Sequence, residues 1–149
     1  MVLVRRAGVE DAPHVARFVD ALLIELSGSP SAYPTRLATA NYLLTLHDRI
    51  FGFLALEQGE PIGAMMMSES AAVYARGMFG VITELYIVPE RRSTGVAKQL
   101  IDAGASLGRQ RSWNRIEVGA PHQPAWERSV IFYLRAGFIE VGPRLRLLL

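Results

Sequence analysis

The chain has 149 residues, enough for one domain with a sizeable core, and half of them are apolar, which excludes a disordered chain. It carries no cysteine, which excludes disulfides, thiolate nucleophiles and zinc–thiolate centres. A formal net charge of +2, with basic residues that are mostly scattered arginines, gives no nucleic-acid footprint, and no apolar run approaches the roughly 20 residues that cross a bilayer.

Val2 to Arg5 reads as a short first strand, and the basic pair Arg5-Arg6 follows the apolar start rather than preceding it, unlike a secretory leader. A cytoplasmic protein is the expectation. Gly8, the acidic pair Glu10-Asp11 and Pro13 open a helix. Val15, Phe18, Val19, Leu22, Leu23 and Leu26 form its one apolar stripe, a packing face, and Ser27 to Ser31 breaks it. A weaker helix is expected from Thr35 to His47. Its apolar positions (Leu37, Tyr42, Leu43, Leu44, Leu46) are less one-sided, as for a helix partly facing a ligand cleft. His14 and His47 look structural.

Ile50–Leu56 and Ile62–Met67 read as a hairpin around Glu57 to Pro61, with Met65-Met66-Met67 as buried strand. Ser68 to Gly80 reads as a linker, long enough to be functional. A strand, Val81 to Val88, stops at Pro89. After a basic turn, a helix runs from Val96 to about Arg111, with Val96, Ala97, Leu100, Ile101, Gly104, Leu107 and Gly108 inward. Two glycines there cost roughly 1 kcal/mol each against alanine, which close packing on a sheet would explain. Arg115–Val118 is a further strand. Pro124 begins the last helix, Gly137 ends it, and Phe138–Val141 and Arg144–Leu149 read as two closing strands around Gly142-Pro143.

The turn between Val88 and Val96 carries the most chemistry. A strand, a basic glycine-containing turn and a helix in that order aim unpaired backbone N–H groups and the positive end of a helix dipole at one point, which suits a phosphate. Arg91 and Arg92 add charge, and Gly95 lets a ligand approach the backbone. Neither the nucleoside-triphosphatase loop nor the dinucleotide fingerprint fits. Arg92-x-x-Gly95-x-Ala97 resembles the acyl-coenzyme A pyrophosphate loop of the GNAT superfamily of N-acetyltransferases, usually Arg/Gln-x-x-Gly-x-Gly/Ala. Downstream, Phe132-Tyr133 and Gly137-Phe138 match that superfamily's Asn-x-x-Ala-x-x-Phe-Tyr-x-x-x-Gly-Phe pattern in identity and spacing. Trp126 stands at the asparagine and Ser129 at the alanine.

The resemblance covers about the whole chain and implies a single domain, residues 1–149. Its fold would be α+β in three layers, with a mixed, mostly antiparallel central sheet of six to seven strands and about four helices. It implies acetyl-CoA as co-substrate and no metal. The strands Thr83–Val88 and Arg115–Val118 would splay apart to admit pantetheine. Backbone groups of Ile87 and Val88 would pair with it, and amides from Arg92 through Ser93, Thr94, Gly95 and Val96 to Ala97 would hold the pyrophosphate. Trp126 removes a polar contact to the pantetheine region. The reaction would be direct attack by a primary amine of a small molecule in a ternary complex. A non-catalytic acyl-CoA sensor and a protein lysine or N-terminal acetyltransferase stay open as alternatives.

An alkylammonium of pKa about 10 costs roughly 4 kcal/mol to deprotonate at pH 7, and an ordinary glutamate, about 6 units lower, faces near 8 kcal/mol. A carboxylate base must therefore act on a desolvated amine or through water. Glu84, inside an apolar strand, is the leading candidate, with Glu117 and the loop residue His122 as alternatives. Tyr133 is the candidate acid for the departing thiolate, since a phenol stays protonated at pH 7. Ser27 to Thr35 and Ser68 to Gly80 would face the acceptor, where Tyr33, Tyr74, Phe79 and Glu69 offer aromatic faces and a carboxylate for a cation. The apolar tail Leu145 to Leu149 fits either an edge added to a homodimer partner's sheet or a strand within one subunit.

Overall fold

The computed structural model describes residues 1–119, 127–142 and 144–149. Strand β1 (Val2–Ala7) leads into α1 (Ala12–Ser27) and α2 (Tyr33–Leu43). Three antiparallel strands follow: β2 (Ile50–Glu57), β3 (Glu60–Ala72) and β4 (Gly77–Ile87). Helix α3 (Val96–Gln110), a short β5 (Ile116–Val118) and α4 (Glu127–Arg135) complete the described elements. The sheet order is β1-β2-β3-β4-β5, antiparallel except for the parallel β4–β5 pair.

The expected mixed sheet and four helices are present, but the described residues form five strands rather than six to seven. Residues 138–142 and 144–149 are not strands. A strand exists only where its N–H and C=O groups find a ladder, and these segments find none among the described residues. Ile139, Val141, Leu145, Leu147, Leu148 and Leu149 lie exposed rather than in a sheet.

The stretch Ser68 to Gly80 is also not a linker. β3 runs on to Ala72 and β4 starts at Gly77, with only Val73 to Arg76 turning between them. The β2 ladder ends at Ile50↔Ser68, with one further bond from the Glu69 N–H to the Arg49 carbonyl (2.8 Å), so beyond Glu69 the extension has β4 as its one strand neighbour, and it carries serines where the shared sheet carries methionines.

The sheet packs on both faces. Alternate residues of its central strands give Phe51, Phe53, Met65, Met67 and Ile82 to the α3 side, with Val96, Leu100 and Trp113, and Leu54, Ala64, Met66 and Tyr86 to the α1/α2 side, with Val15, Phe18 and Leu44. Met65, Met66 and Met67 are all buried, as expected of core strand. On α1, buried Asp20 accepts from the Ser31 hydroxyl (2.6 Å), the Ala32 N–H (2.9 Å) and Arg36 Nη1 (2.9 Å), tying the α1–α2 connection down. The Ser31 hydrogen bond foremost holds that carboxyl below its usual range.

The glycines of α3 have the expected steric reason. A Cβ at Gly104 would sit 2.7 Å from Met67 Sδ and 2.9 Å from Met65 Cε, and one at Gly108 would sit 2.6 Å from the Trp113 ring. Methionine ends yield and an indole wedged against Phe51 does not. Gly108→Ala is therefore expected to lose about 1 kcal/mol or more in urea unfolding despite better helix propensity, with Gly104→Ala near neutral. Equal effects at the two positions would contradict this packing account.

Candidate active site

The β4–β5 pairing spans only Gly80↔Ile116, Val81↔Glu117 and Ile82↔Val118. At the next residue β4 carries a bulge: Met67 pairs with Ile82 and Met66 with Glu84, so Thr83 is extra. A bulge bends its strand and sharpens the twist. β4 continues to Ile87, paired with β3 along one edge and with no described strand along the other. Backbone groups on successive strand residues face opposite edges. The Val88 N–H goes to the Ile62 carbonyl (2.9 Å), so Ile87 and Leu85 turn theirs to the open side. Of the two residues assigned to pantetheine, Ile87 thus has its backbone on the open edge, while Val88 gives its N–H to β3.

Beyond β4, Pro89 to Arg91 make one 3-10 turn, and Ser93 (φ 64°) and Gly95 (φ 91°) take left-handed backbone before α3 begins. A Cβ on Gly95 would meet nothing within 4 Å. The glycine answers to the positive φ and leaves open space rather than relieving a contact. The Arg91 and Arg92 N–H groups bond the carbonyls of Val88 (3.0 Å) and Pro89 (3.3 Å). From Ser93 to Lys98 the backbone N–H groups have no acceptor among the described residues, the first bond into the helix being Gln99 N–H to Gly95 O (3.1 Å). Consecutive outward amides ahead of a helix form an anion-binding concavity.

The side-chain charges expected beside this loop are already matched. Arg91 pairs with Glu57 (2.6 Å), Arg92 with Glu25 (2.7 Å) and Lys98 with Asp102 (2.9 Å). Sequence gave no signal for the first two, because their partners lie on β2 and α1. The Thr94 hydroxyl donates to the Arg91 carbonyl (2.5 Å) and shapes the turn.

Residues paired directly across strands share a face. Glu84 shares Met66's, the α1/α2 side, and by the same register Ser68, Ser70, Phe79, Val81 and Glu117 lie on that side too. Burial holds the half-buried Glu84 carboxyl above its usual range, opposed by the Thr83 hydroxyl at 2.5 Å. That hydroxyl also lies 3.2 Å from the Met66 carbonyl, and its single proton serves one acceptor at a time.

Tyr74 and Phe79 come together, ring centroids 6.0 Å apart. The Tyr74 hydroxyl donates to Glu117 (3.0 and 3.2 Å), and the Arg115 guanidinium covers the Tyr74 ring at 5.3 Å. Tyr33, at the start of α2, packs on the α1/α2 core, the side that Glu84 also faces. Glu69 is not available to a ligand cation: it faces α3, bound by Arg111 (2.7 Å) and by Trp113 Nε1 (2.5 Å).

Tyr133 lies on the other side of the sheet, against the α3 core. Gly137 (φ 101°) ends α4, the Phe138 N–H returning to the Tyr133 carbonyl (3.0 Å) and the Gly137 N–H to the Leu134 carbonyl (3.1 Å). This is a Schellman cap, and its accompanying apolar contact is Phe138 on Tyr133, edge-on at 5.4 Å. Phe132 flanks the phenol at 5.4 Å as well, and burial pushes its pKa up to about 12. His122 and Trp126 lie outside the described residues.

Residues 18–138 match the model of the acetyltransferase (GNAT) family. The chain belongs to the GNAT family. Solved structures share its fold over essentially the full length. An aminoglycoside acetyltransferase from an uncultured soil metagenomic sample is 22% identical with a TM-score of 0.82, covering 100% of this chain and 99% of that one. A predicted acetyltransferase from Clostridium acetobutylicum, solved with acetyl-CoA, is 20% identical with a TM-score of 0.82, covering 99% and 96%. The ribosomal-protein-alanine N-acetyltransferase of Brucella melitensis biovar Abortus 2308 is 21% identical with a TM-score of 0.73, covering 99% of each. No curated protein matches the chain. Among the described residues no helix is long and apolar enough to cross a membrane, and no cluster of side chains is arranged for a metal.

The raised Glu84 carboxyl has a measurable consequence for this GNAT domain. Below the usual carboxyl pKa both folded and unfolded chains are protonated, and nothing is lost. As pH climbs through the raised value, the folded state must ionise a half-buried acid, and stability falls. Glu84→Gln is expected to melt above wild type at pH 7.5, with the gap closing toward pH 4. A gap independent of pH would place Glu84 in ordinary solvent.

Proposed function

We propose that the protein is an acetyl-CoA-dependent N-acetyltransferase acting on a primary amine of a small, cationic molecule by direct attack in a ternary complex. The observation that carries this reading is the run of acceptor-free N–H groups from Ser93 to Lys98 beside the open edge of β4. That pairing of features fits a ligand with a diphosphate at one end and an amide-bearing arm at the other, and acetyl-CoA supplies in addition the thioester to be attacked. The amides of Ser93 to Ala97 hold the diphosphate, Gly95 gives it room, and Ile87 lines the arm.

On one side of the sheet Glu84 receives the amine's proton. Its raised carboxyl pKa narrows the gap to an alkylammonium, and a half-buried site also makes the ammonium easier to deprotonate. On the other side Tyr133 holds its proton at any physiological pH, which a donor to a departing thiolate requires. Base and acid thus approach from opposite faces. The acceptor lies on the Glu84 face. There the Tyr74–Phe79 pair and Glu117, roughly 10 Å away along β4, already hold one cation, the Arg115 guanidinium, 5.3 Å from the Tyr74 ring and 3.5 Å from Glu117, and a second positive group on the acceptor takes that exposed place in its stead. Tyr33, half-buried at the start of α2 on that same side of the sheet, adds a third aromatic ring to the acceptor face.

Calorimetric titration with acetyl-CoA is expected to give saturable binding, and absence of heat at millimolar ligand would overturn the assignment. Tyr133→Phe is expected to retain that binding while kcat on the best amine of a screened panel drops about 10²- to 10⁴-fold. An unchanged kcat would remove the phenol from the chemistry.

A further inference from the structure

The side chain of Arg92 does not turn toward the amide loop. It folds back across the open edge of β4, where its Nε donates to the Ile87 carbonyl (2.9 Å), its Nη2 meets Glu25 Oε1 on the last turns of α1 (2.7 Å), and its guanidinium covers the Tyr86 ring at 5.2 Å. One planar, charged group therefore closes a bridge from α1 to the strand edge. The Ile87 carbonyl faces the open side because the neighbouring Val88 N–H is committed to β3. An extended arm laid along β4 like an added strand needs carbonyl acceptors on alternate residues, here Leu85 and Ile87. One of the two already accepts a hydrogen bond on that edge, from the Arg92 guanidinium.

We propose that Arg92 is a latch on the cofactor groove, held shut by Glu25, and that an amide N–H of the incoming arm displaces Nε from the Ile87 carbonyl. This rests on the acetyl-CoA reading of the same groove. Glu25 then works against cofactor binding. It shapes no part of the ligand, yet it sets how firmly the acceptor that the ligand needs is occupied. Both members of the ion pair are partly exposed, with side-chain accessibilities of 41% for Arg92 and 34% for Glu25. The restraint is accordingly modest and sensitive to salt.

Two ligands separate the latch from the phosphate loop. Acetyl-pantetheine carries the arm without the diphosphate and is uncharged, whereas adenosine 3′,5′-diphosphate carries phosphates without the arm. Glu25→Gln is expected to bind acetyl-pantetheine and acetyl-CoA about two- to fivefold more tightly than wild type, with the adenosine diphosphate unaffected. In wild type, raising ionic strength is expected to tighten acetyl-pantetheine, and in Glu25→Gln to leave it unchanged. Arg92→Lys keeps the charge but has one nitrogen in place of the rigid fork whose Nε and Nη2 meet Ile87 and Glu25 separately, so it should reproduce the tightening; it also serves if Glu25→Gln fails to fold. Equal or weaker acetyl-pantetheine binding by the folded variants, with wild type binding acetyl-CoA normally, would sink the latch alone. A wild type that binds neither acetyl-CoA nor acetyl-pantetheine would take the cofactor reading down with it.

Discussion

Loss of β5 as a partner at Ile82, while β3 keeps hold of the other edge of β4 to Ile87, is the constraint from which the rest of the site follows. The extra residue, Thr83, comes where pairing with β5 ends. A strand buried in a sheet has both edges satisfied, and one held on a single side has a row of donors and acceptors awaiting a partner. Here that row, its Ile87 carbonyl met by Arg92 Nε, leads into the turn before α3, whose amides from Ser93 onward have no acceptors among the described residues. Strand edge and helix start thus make one continuous polar track across an otherwise apolar framework.

The electrostatics of that track differ from a cluster of basic side chains. Each cation nearest the loop has its own carboxylate, and those carboxylates come from β2, α1 and α3. The positive character left over belongs to peptide groups fixed by the fold. A loop of fixed peptide dipoles needs little reorganisation to meet an anion, and it would discriminate by shape as much as by charge. The ion pairs serve instead to fasten the loop to its neighbours, Arg91 to β2 and Arg92 to α1.

Much of this was legible from residue order. The stripe Val15 to Leu26 and the inward glycines of α3 pointed to layered packing, and the glycine-containing turn after Pro89 pointed to a run of outward backbone N–H groups, because these signals are local. Register was not legible. The serines of β3 read as linker since strand extension there depends on β4 alone, a pairing that spans the hairpin. Likewise the tail beyond Phe138 has the alternation of a strand but finds no ladder among the described residues. Glu69 shows the same limit: its acidity suited a cation, but strand alternation turns it to the α3 side, where Arg111 and Trp113 claim it. Glu25 and Glu57 were invisible for a related reason, their partners lying 67 and 34 positions away.

The way α4 stops has a consequence for how this site can change over evolutionary time. The peptide that reverses the chain at Gly137 and the ring of Phe138 that seals the reversal both bear on Tyr133. Helix termination and phenol placement are therefore a single structural decision. A lineage could exchange residues along the exposed flank of α4 freely, yet sliding the hydroxyl by even one position would mean rebuilding the end of the helix with it.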